Sequence, residues 1–247
     1  MRYLVLTDIH ANLEALDACV AHARTHTFDQ TLVLGDLVGY GGDPNAVVER
    51  VQSLKPVAIV RGNHDKVACG LEQAEGFNSV AKSAAKWTLE VLEPEHREWL
   101  CALPAGPIDV DDVVEICHGS PFDEDAYIFD ELDAVRALKV SKRPLCLFGH
   151  THYPVTFELF NDSFESVGSA GAPQTQIQMK NGRKYLINPG SVGQPRDGDP
   201  RAAYAIVDTS LQRVELYRTP YAVEDAQSKV VKAGLPDVLA QRLAVGR

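Results

Sequence analysis

Cysteine is scarce and scattered. Five residues (Cys19, Cys69, Cys101, Cys117 and Cys146) lie far apart, odd in number and without a CxxC pair. That pattern excludes a disulfide framework and a thiolate-bound structural zinc, and it reads as reduced thiols in a cytoplasmic protein. No apolar run approaches the length of a membrane span, so no membrane partner is expected. The opening MRYLVLTDIH reaches charge after a short apolar run and reads as a first strand, not a signal peptide. Basic residues are also in deficit, with 24 Lys+Arg against 34 Asp+Glu and a formal charge of -10. Non-specific binding to a nucleic-acid backbone is therefore disfavoured, although divalent cations bound in a cleft would reverse the balance locally. The acidic run 123–133 reads as a solvated face. The two tryptophans, Trp87 and Trp99, fall in helical segments and read as packing residues, not base-stacking platforms. There is no internal repeat and no low-complexity linker.

What is present is ordinary globular material: 247 residues, 45% hydrophobic and 23% charged, enough to bury a sizeable core. Short apolar runs at 3–7, 31–34 and 57–60 alternate with helical periodicity at 12–24 and 45–54, where Pro44 marks a start. This β-α-β-α-β rhythm predicts parallel strands with crossover helices. Residues 78–103 read as helical, broken at Glu93-Pro94. Further strands are expected at 113–117 and 145–148. The pattern then becomes β-rich, with runs at 155–159, 176–179, 185–188, 203–207 and 213–217, and Asn181-Gly182 as a hairpin turn signal. Residues 223–245 read as helical, broken at 234–236. The whole predicts an α/β chain, 1–247, forming one layered domain with two sheets and a C-terminal helical extension at 220–247.

The chemistry is concentrated where strands end. Asp8, Asp36, Asn63, His118 and His150 each follow an apolar run immediately or within three residues. Loops at the carboxyl ends of parallel strands gather at one edge, where α/β folds bind ligands. His10 and His152 belong to the same loops, each two residues after another candidate, a spacing that points both side chains one way in extended backbone. Five of the eight histidines (His10, His64, His118, His150 and His152) lie in these loops. Carboxylates mixed with imidazoles suit borderline divalent ions such as Mn²⁺, Fe²⁺ or Zn²⁺. Gly35, Gly62, Gly119 and Gly149 flank the candidates, as crowded turns require.

In order, the chain carries Asp8-Ile9-His10, Gly35-Asp36, Gly62-Asn63-His64-Asp65, His118 and Gly149-His150-Thr151-His152. This series resembles the calcineurin-like metallophosphoesterase superfamily, whose pattern is D-x-H, G-D, G-N-H-[DE], H and G-H-x-H. The resemblance spans residues 3–196, and its one departure is Ala11 where many relatives have glycine. It implies a four-layer αββα sandwich of two mixed β-sheets flanked by helices. It also implies two divalent metal ions (Mn²⁺, Fe²⁺/Fe³⁺ or Zn²⁺): one on Asp8, His10 and His152, the other on Asn63, His118 and His150, with Asp36 bridging. The implied reaction is attack of a metal-bridging hydroxide on a small phosphate ester, in line with the leaving group. His64 and Asp65 are the implied catalytic residues: His64, expected at the cleft mouth near Asp65, protonates the leaving oxygen or stabilises the phosphoryl group. The glycine-rich segment 188–196 resembles the N-P-G-S loop of small bacterial phosphodiesterases. Arg196 is its candidate substrate contact, with Arg61 and Asn12 as weaker ones.

Each element has a bland reading. Asp8 as a helix cap, Asp36 and Asp43 as turn carboxylates, His118 as a packed histidine and Arg196 in a surface salt bridge are all ordinary. Small phosphodiesters, nucleotides or dinucleoside polyphosphates are the leading substrates. A phosphoprotein phosphatase, a cyclic-nucleotide phosphodiesterase and a non-catalytic scaffold of the same fold stand as alternatives, and self-association into a homo-oligomer is left open.

Overall fold

The computed structural model describes residues 1–161, 163–168 and 172–247. Among these the first half runs β1 (Arg2–Leu6), α1 (Leu13–Arg24), β2 (Gln30–Val33), α2 (Pro44–Leu54), β3 (Ala58–Ile59), α3 (Asn63–Cys69), α4 (Ser79–Val91) and α5 (Pro94–Cys101). Then come β4 (Ile108–Asp109), β5 (Val114–Ile116), α6 (Glu131–Val140) and β6 (Leu145–Leu147). The β-rich part holds β7 (Val155–Phe160), β8 (Ser163–Gly168), β9 (Gln174–Gln178), β10 (Lys184–Asn188), β11 (Ala202–Asp208) and β12 (Arg213–Thr219), followed by α7 (Val223–Lys232) and α8 (Asp237–Val245).

The strands form two mixed six-stranded sheets, β3-β2-β1-β11-β12-β9 and β4-β5-β6-β10-β7-β8. Strands β1, β2 and β3 are parallel in the first, and β5, β6 and β10 in the second. Side-chain alternation on β1 explains the stacking. Tyr3 and Val5 join Val114, Ile116, Leu145, Leu147 and Ile187 in the core between the sheets. Leu4 and Leu6 point the other way, onto Ala15, Leu16, Cys19 and Val20 of α1. Each fully buried leucine or valine contributes about 1.5–3 kcal/mol against exposure. Helix α6 covers the outer face of the second sheet through Ala134, Ala137 and Leu138 on Cys146, Phe148 and Leu186. The result is the αββα layering that the resemblance implies. Trp99 packs against the α1 core and Trp87 against the α7–α8 cluster, as packing residues should.

Three expectations need correction. Asn181-Gly182 is a turn, but not a hairpin: β9 before it pairs with β12 in one sheet, while β10 after it pairs with β6 and β7 in the other. His64, placed in a strand-end loop, lies in α3, which starts at Asn63 because Gly62 precedes it in extended backbone and the Asp65 carboxylate accepts the Gly62 N–H. The acidic run 123–133 is only partly a solvated face. Asp130 caps α6 by accepting from the Asp133 N–H at 3.0 Å, and acids in the first turn suit the helix dipole. Glu124 and Asp125, however, pair with cations, as described below.

Candidate metal centre

The carboxyl ends of the parallel strands in both sheets point to one edge, and the loops beyond them interlock. Asp8 N–H donates to the Gly35 carbonyl, His10 N–H to Asp36, Gly149 N–H to His118, and Gly193 N–H to Asp8. The loops are wound tightly. Asp8, His10, Ala11, Asp36, Tyr40, His150 and His152 all have left-handed φ between 48° and 66°. Non-glycine residues adopt this region rarely and at a cost, so its concentration here marks loops held by their surroundings. Ala11, at φ 50°, occupies the left-handed turn where many relatives carry glycine, so the turn survives the departure. Two glycines are required by close approach. A Cβ on Gly62 would lie 2.1 Å from Asp36 Oδ1, and one on Gly149 would lie 2.1 Å from Thr7 Oγ1 and 2.7 Å from Asp8 Oδ2.

Seven predicted side chains converge. Asp8, His10, Asp36 and His152 bring candidate ligand atoms within 4.8 Å of one another, and so do Asp36, His118 and His150. Asp36 belongs to both groups: its Oδ2 is 3.5 Å from His10 Nε2 and 3.5 Å from His118 Nε2. Asn63 Oδ1 sits 3.3 Å from His118 Nε2, completing the second group. The bland readings of Asp8 and His118 fail by position, while Asp43 keeps its structural reading, at the start of α2 and paired with Lys229. The cap of α1 is Asn12, not Asp8, and His118 is buried with one ring nitrogen toward the cluster.

The donor set fits cations on a test internal to the protein. His10 Nδ1 donates to the Val38 carbonyl (3.1 Å), His118 Nδ1 to Leu34 (2.8 Å), His152 Nδ1 to Gln194 (2.6 Å) and His150 Nε2 to Asp125 (3.1 Å). These carbonyls accept only, so each ring's N–H is assigned to them, and in a neutral ring the other nitrogen turns an unshared pair inward. Those inward nitrogens face each other at 3.0 Å (His10 and His152) and 3.1 Å (His118 and His150). Burial pushes His10 and His152 well below the ordinary histidine range and His150 down to about 3, so no proton sits between the first pair. The opposed lone pairs of His10 and His152 at such a distance are what a shared cation resolves, while between His118 and His150 a proton held on His118 by Asp36 stands where a cation would. Burial, reinforced by the Asp36 charge, pushes Asp8 up to about 7. Burial acts on Asp36 too, but the His118 and His64 rings override it and hold Asp36 well below the usual carboxylate range. His118, against its burial, is raised to about 10 by Asp36.

The remaining predicted residues separate. His64 is buried, not at a cleft mouth: its ring packs on Tyr40 (4.4 Å), Phe77 (4.5 Å) and His10 (5.0 Å). Its Nδ1 is buried without a hydrogen-bond partner, and burial pushes its pKa down to about 4. Asp65 faces backbone, not the cluster. Its Oδ1 accepts from Leu37 N–H (2.9 Å) and Val38 N–H (3.2 Å), and its Oδ2 from Gly62 N–H (2.9 Å). The catalytic reading of Asp65 is thereby corrected: it ties the Asp36 loop to α3. Asn12 is spent on the Ala15 N–H and the Gly193 carbonyl, and Arg61 on a two-pronged pair with Glu124 at 3.0 Å each. Neither is free for substrate. Arg196 differs. Its guanidinium meets Gln194 Oε1 at 3.3 Å and lies 5.9 Å from the Tyr40 ring, and its charge reaches Asp8, His10 and His152.

Several contributors were not legible beforehand. Segment 188–196 works mainly as a brace. Asn188 Nδ2 donates to the Gly149 carbonyl (2.7 Å) and Thr151 Oγ1 (3.0 Å), Ser191 Oγ donates to the Asp8 carbonyl (2.7 Å), and Gln194 orients His152. Lys66, three residues after Asn63, is buried and donates to Glu72 (2.9 Å), Glu124 (3.3 Å) and Asp125 (2.6 Å). It thereby steadies the Asp125 carbonyl beneath His150. Tyr127 stacks on His150 at 3.7 Å. Only Asn188 and Ser191 carried a sequence signal, as part of the N-P-G-S segment.

Comparison with known proteins gives the family. The calcineurin-like phosphoesterase superfamily domain matches residues 1–212. A metallophosphoesterase of Sphaerobacter thermophilus superposes with a TM-score of 0.87 at 39% identity, covering 100% of both chains. A hypothetical protein of Pyrococcus horikoshii OT3 shares the fold, with a TM-score of 0.79 at 20% identity over 100% of this chain and 98% of its own. An uncharacterized protein of Methanocaldococcus jannaschii is 36% identical over 98% of this chain and 97% of its own length. The chain belongs to the calcineurin-like phosphoesterase superfamily and is a metal-dependent phosphoester hydrolase.

Proposed function

We propose that this hydrolase acts on small phosphodiesters or nucleotides with two divalent ions. One would be held by Asp8, His10 and His152, the other by Asn63, His118 and His150, with Asp36 between them. The observation that carries this reading is the single Asp36 oxygen equidistant, at 3.5 Å, from an imidazole of each group. When bound, such a pair of ions supplies Lewis acidity toward phosphoryl oxygens and an acidified water. Mixed carboxylate and imidazole donors support Mn²⁺, iron or Zn²⁺. We read 1–247 as one catalytic unit with 220–247 as a helical extension. The five unpaired cysteines support a reducing compartment, which we take to be the cytoplasm.

The chain's own groups position and polarise. His64, neutral at pH 7 by its burial, offers an N–H to a phosphoryl or leaving oxygen, and negative charge developing there draws its pKa upward. Arg196 suits a non-bridging oxygen. His64→Ala is expected to keep both metals and lower kcat about 10²–10⁴-fold on esters with poor leaving groups, and far less on p-nitrophenyl esters. Metal analysis beside kinetics on both ester types checks it; equal losses on both would remove His64 from leaving-group chemistry. Arg196→Ala is expected to raise KM about tenfold with metal content unchanged, and unchanged kinetics would return Arg196 to a surface role. The function itself is tested by Mn²⁺-stimulated, EDTA-sensitive hydrolysis. Faster cleavage of bis-p-nitrophenyl phosphate than of p-nitrophenyl phosphate supports the diesterase. The reverse favours a phosphatase, and no turnover with two metals bound favours a scaffold.

A further inference from the structure

Beside Asn63 and His150 a cavity of about 230 Å³ opens toward solvent, with Phe77 and Tyr127 in its wall and Glu72, Gln73 and Asp125 at its rim. Asn63 and His150, proposed metal ligands, line it, and its other lining residues take no part in the proposed chemistry. Its aromatic groups are fixed in advance. Phe77 lays its ring on His64 at 4.5 Å, and Tyr127 is stacked between His150 (3.7 Å) and Phe129 (5.0 Å). Tyr127 is nonetheless 43% exposed, so its edge is left for a visitor. Rings held rigid before binding lose little entropy when they stack.

Charge narrows the visitor further. Glu72 and Asp125, the charged residues of the cavity lining, are both carboxylates, and the Lys66 ammonium that each holds through one oxygen is buried outside that lining. A second phosphate in this cavity would meet net repulsion. A neutral ring bearing amino groups would instead find carboxylate oxygens and the Gln73 amide as partners. The volume lies below the range of about 300–1,000 Å³ usual for whole drug-sized ligands, so it suits one ring system and not a dinucleotide.

Building on the phosphodiesterase reading, the geometry points to a nucleobase subsite: one ester arm of the substrate is a nucleoside whose base stacks on Phe77 and meets the Tyr127 edge. The substrate class is then a nucleoside-bearing monophosphate diester, in preference to a dinucleoside polyphosphate. Gly76 offers a clean probe. It lines the cavity, and a Cβ added there meets no atom within 4 Å, so a large side chain can be placed without disturbing the metal loops.

The test compares adenylyl-(3′→5′)-adenosine with glycerophosphocholine on the metal-loaded protein. Wild type is expected to prefer the dinucleotide at least tenfold in kcat/KM. Phe77→Leu and Gly76→Trp should each erase about tenfold of that preference, mainly through KM, as expected for loss of one base stack. Adenosine alone should bind the full-length protein in equilibrium dialysis, with or without metal, and fail to bind Gly76→Trp. Absence of a preference, equal losses on both esters, or no adenosine binding overturns the subsite. If metal-loaded wild type cleaves no diester, bis-p-nitrophenyl phosphate included, the phosphodiesterase reading falls by itself, and adenosine binding still decides what the cavity takes. Should Phe77→Leu not fold, Gly76→Trp carries the comparison.

Discussion

Asp36→Asn is expected to lower kcat/KM by at least about 10³-fold, the scale of losing a group that organises transition-state electrostatics. The reason lies in the asymmetry of its two oxygens. Oδ1 accepts the His64 N–H at 2.9 Å, a contact an asparagine oxygen keeps. Oδ2 faces His10 Nε2 and His118 Nε2, and an amide NH₂ there donates to both rings instead of offering them a shared anion. The metal-free variant should fold but melt below metal-free wild type, because the buried Asp36–His118 charge pairing is lost. Metal-induced stabilisation should disappear, because a ligand stabilises only the state it binds. Elemental analysis and melting curves with and without Mn²⁺ check the two halves separately. Full metal content with wild-type turnover would show that Asp36 bridges nothing.

Asp65→Ala should act in the opposite way, on stability first. The buried carboxylate receives three backbone N–H groups, from Leu37, Val38 and Gly62. Alanine leaves all three without a partner, at about 1–3 kcal/mol each. The total expected is about 3–5 kcal/mol, or roughly a 10 °C fall in Tm for a chain of this size. Burial, with the Asp36 charge, pushes Asp65 up to about 7 and offsets part of this gain near neutrality. A raised carboxylate pKa disfavours the charged folded state, so the difference between wild type and Asp65→Ala should widen as pH falls below 7. Thermal melts of the metal-free proteins from pH 8 to pH 5.5 measure it. A variant as stable as wild type but inactive would restore a direct catalytic part for Asp65.

Much of the centre was readable in one dimension because metal ligation constrains residue type and strand-end placement together. Asp8, His10, Asp36, Asn63, His118, His150 and His152 occupy the ends of parallel strands, and all seven converge. The residues around them were harder. Asp65 and Asn12 are as polar as the candidate ligands, and only their hydrogen bonds show that backbone N–H groups and a carbonyl claim them. Arg61 looks like a phosphate contact until Glu124, more than sixty residues away, is seen to hold it. Lys66 left no signal, since a buried lysine is defined by the carboxylates that fold over it.

By itself, the order of apolar runs and breakers determined the parallel α/β half, the β-rich half and the set of side chains able to hold metal, because those follow from local periodicity and side-chain chemistry. Tertiary structure alone decided that Asn181-Gly182 connects two different sheets, that His64 lies beneath Tyr40 and Phe77, and that segment 188–196 braces Asp8 and His152. Each of these depends on which distant backbone groups and rings come into contact, and pairing between remote segments is a property of the folded chain, not of any stretch of it.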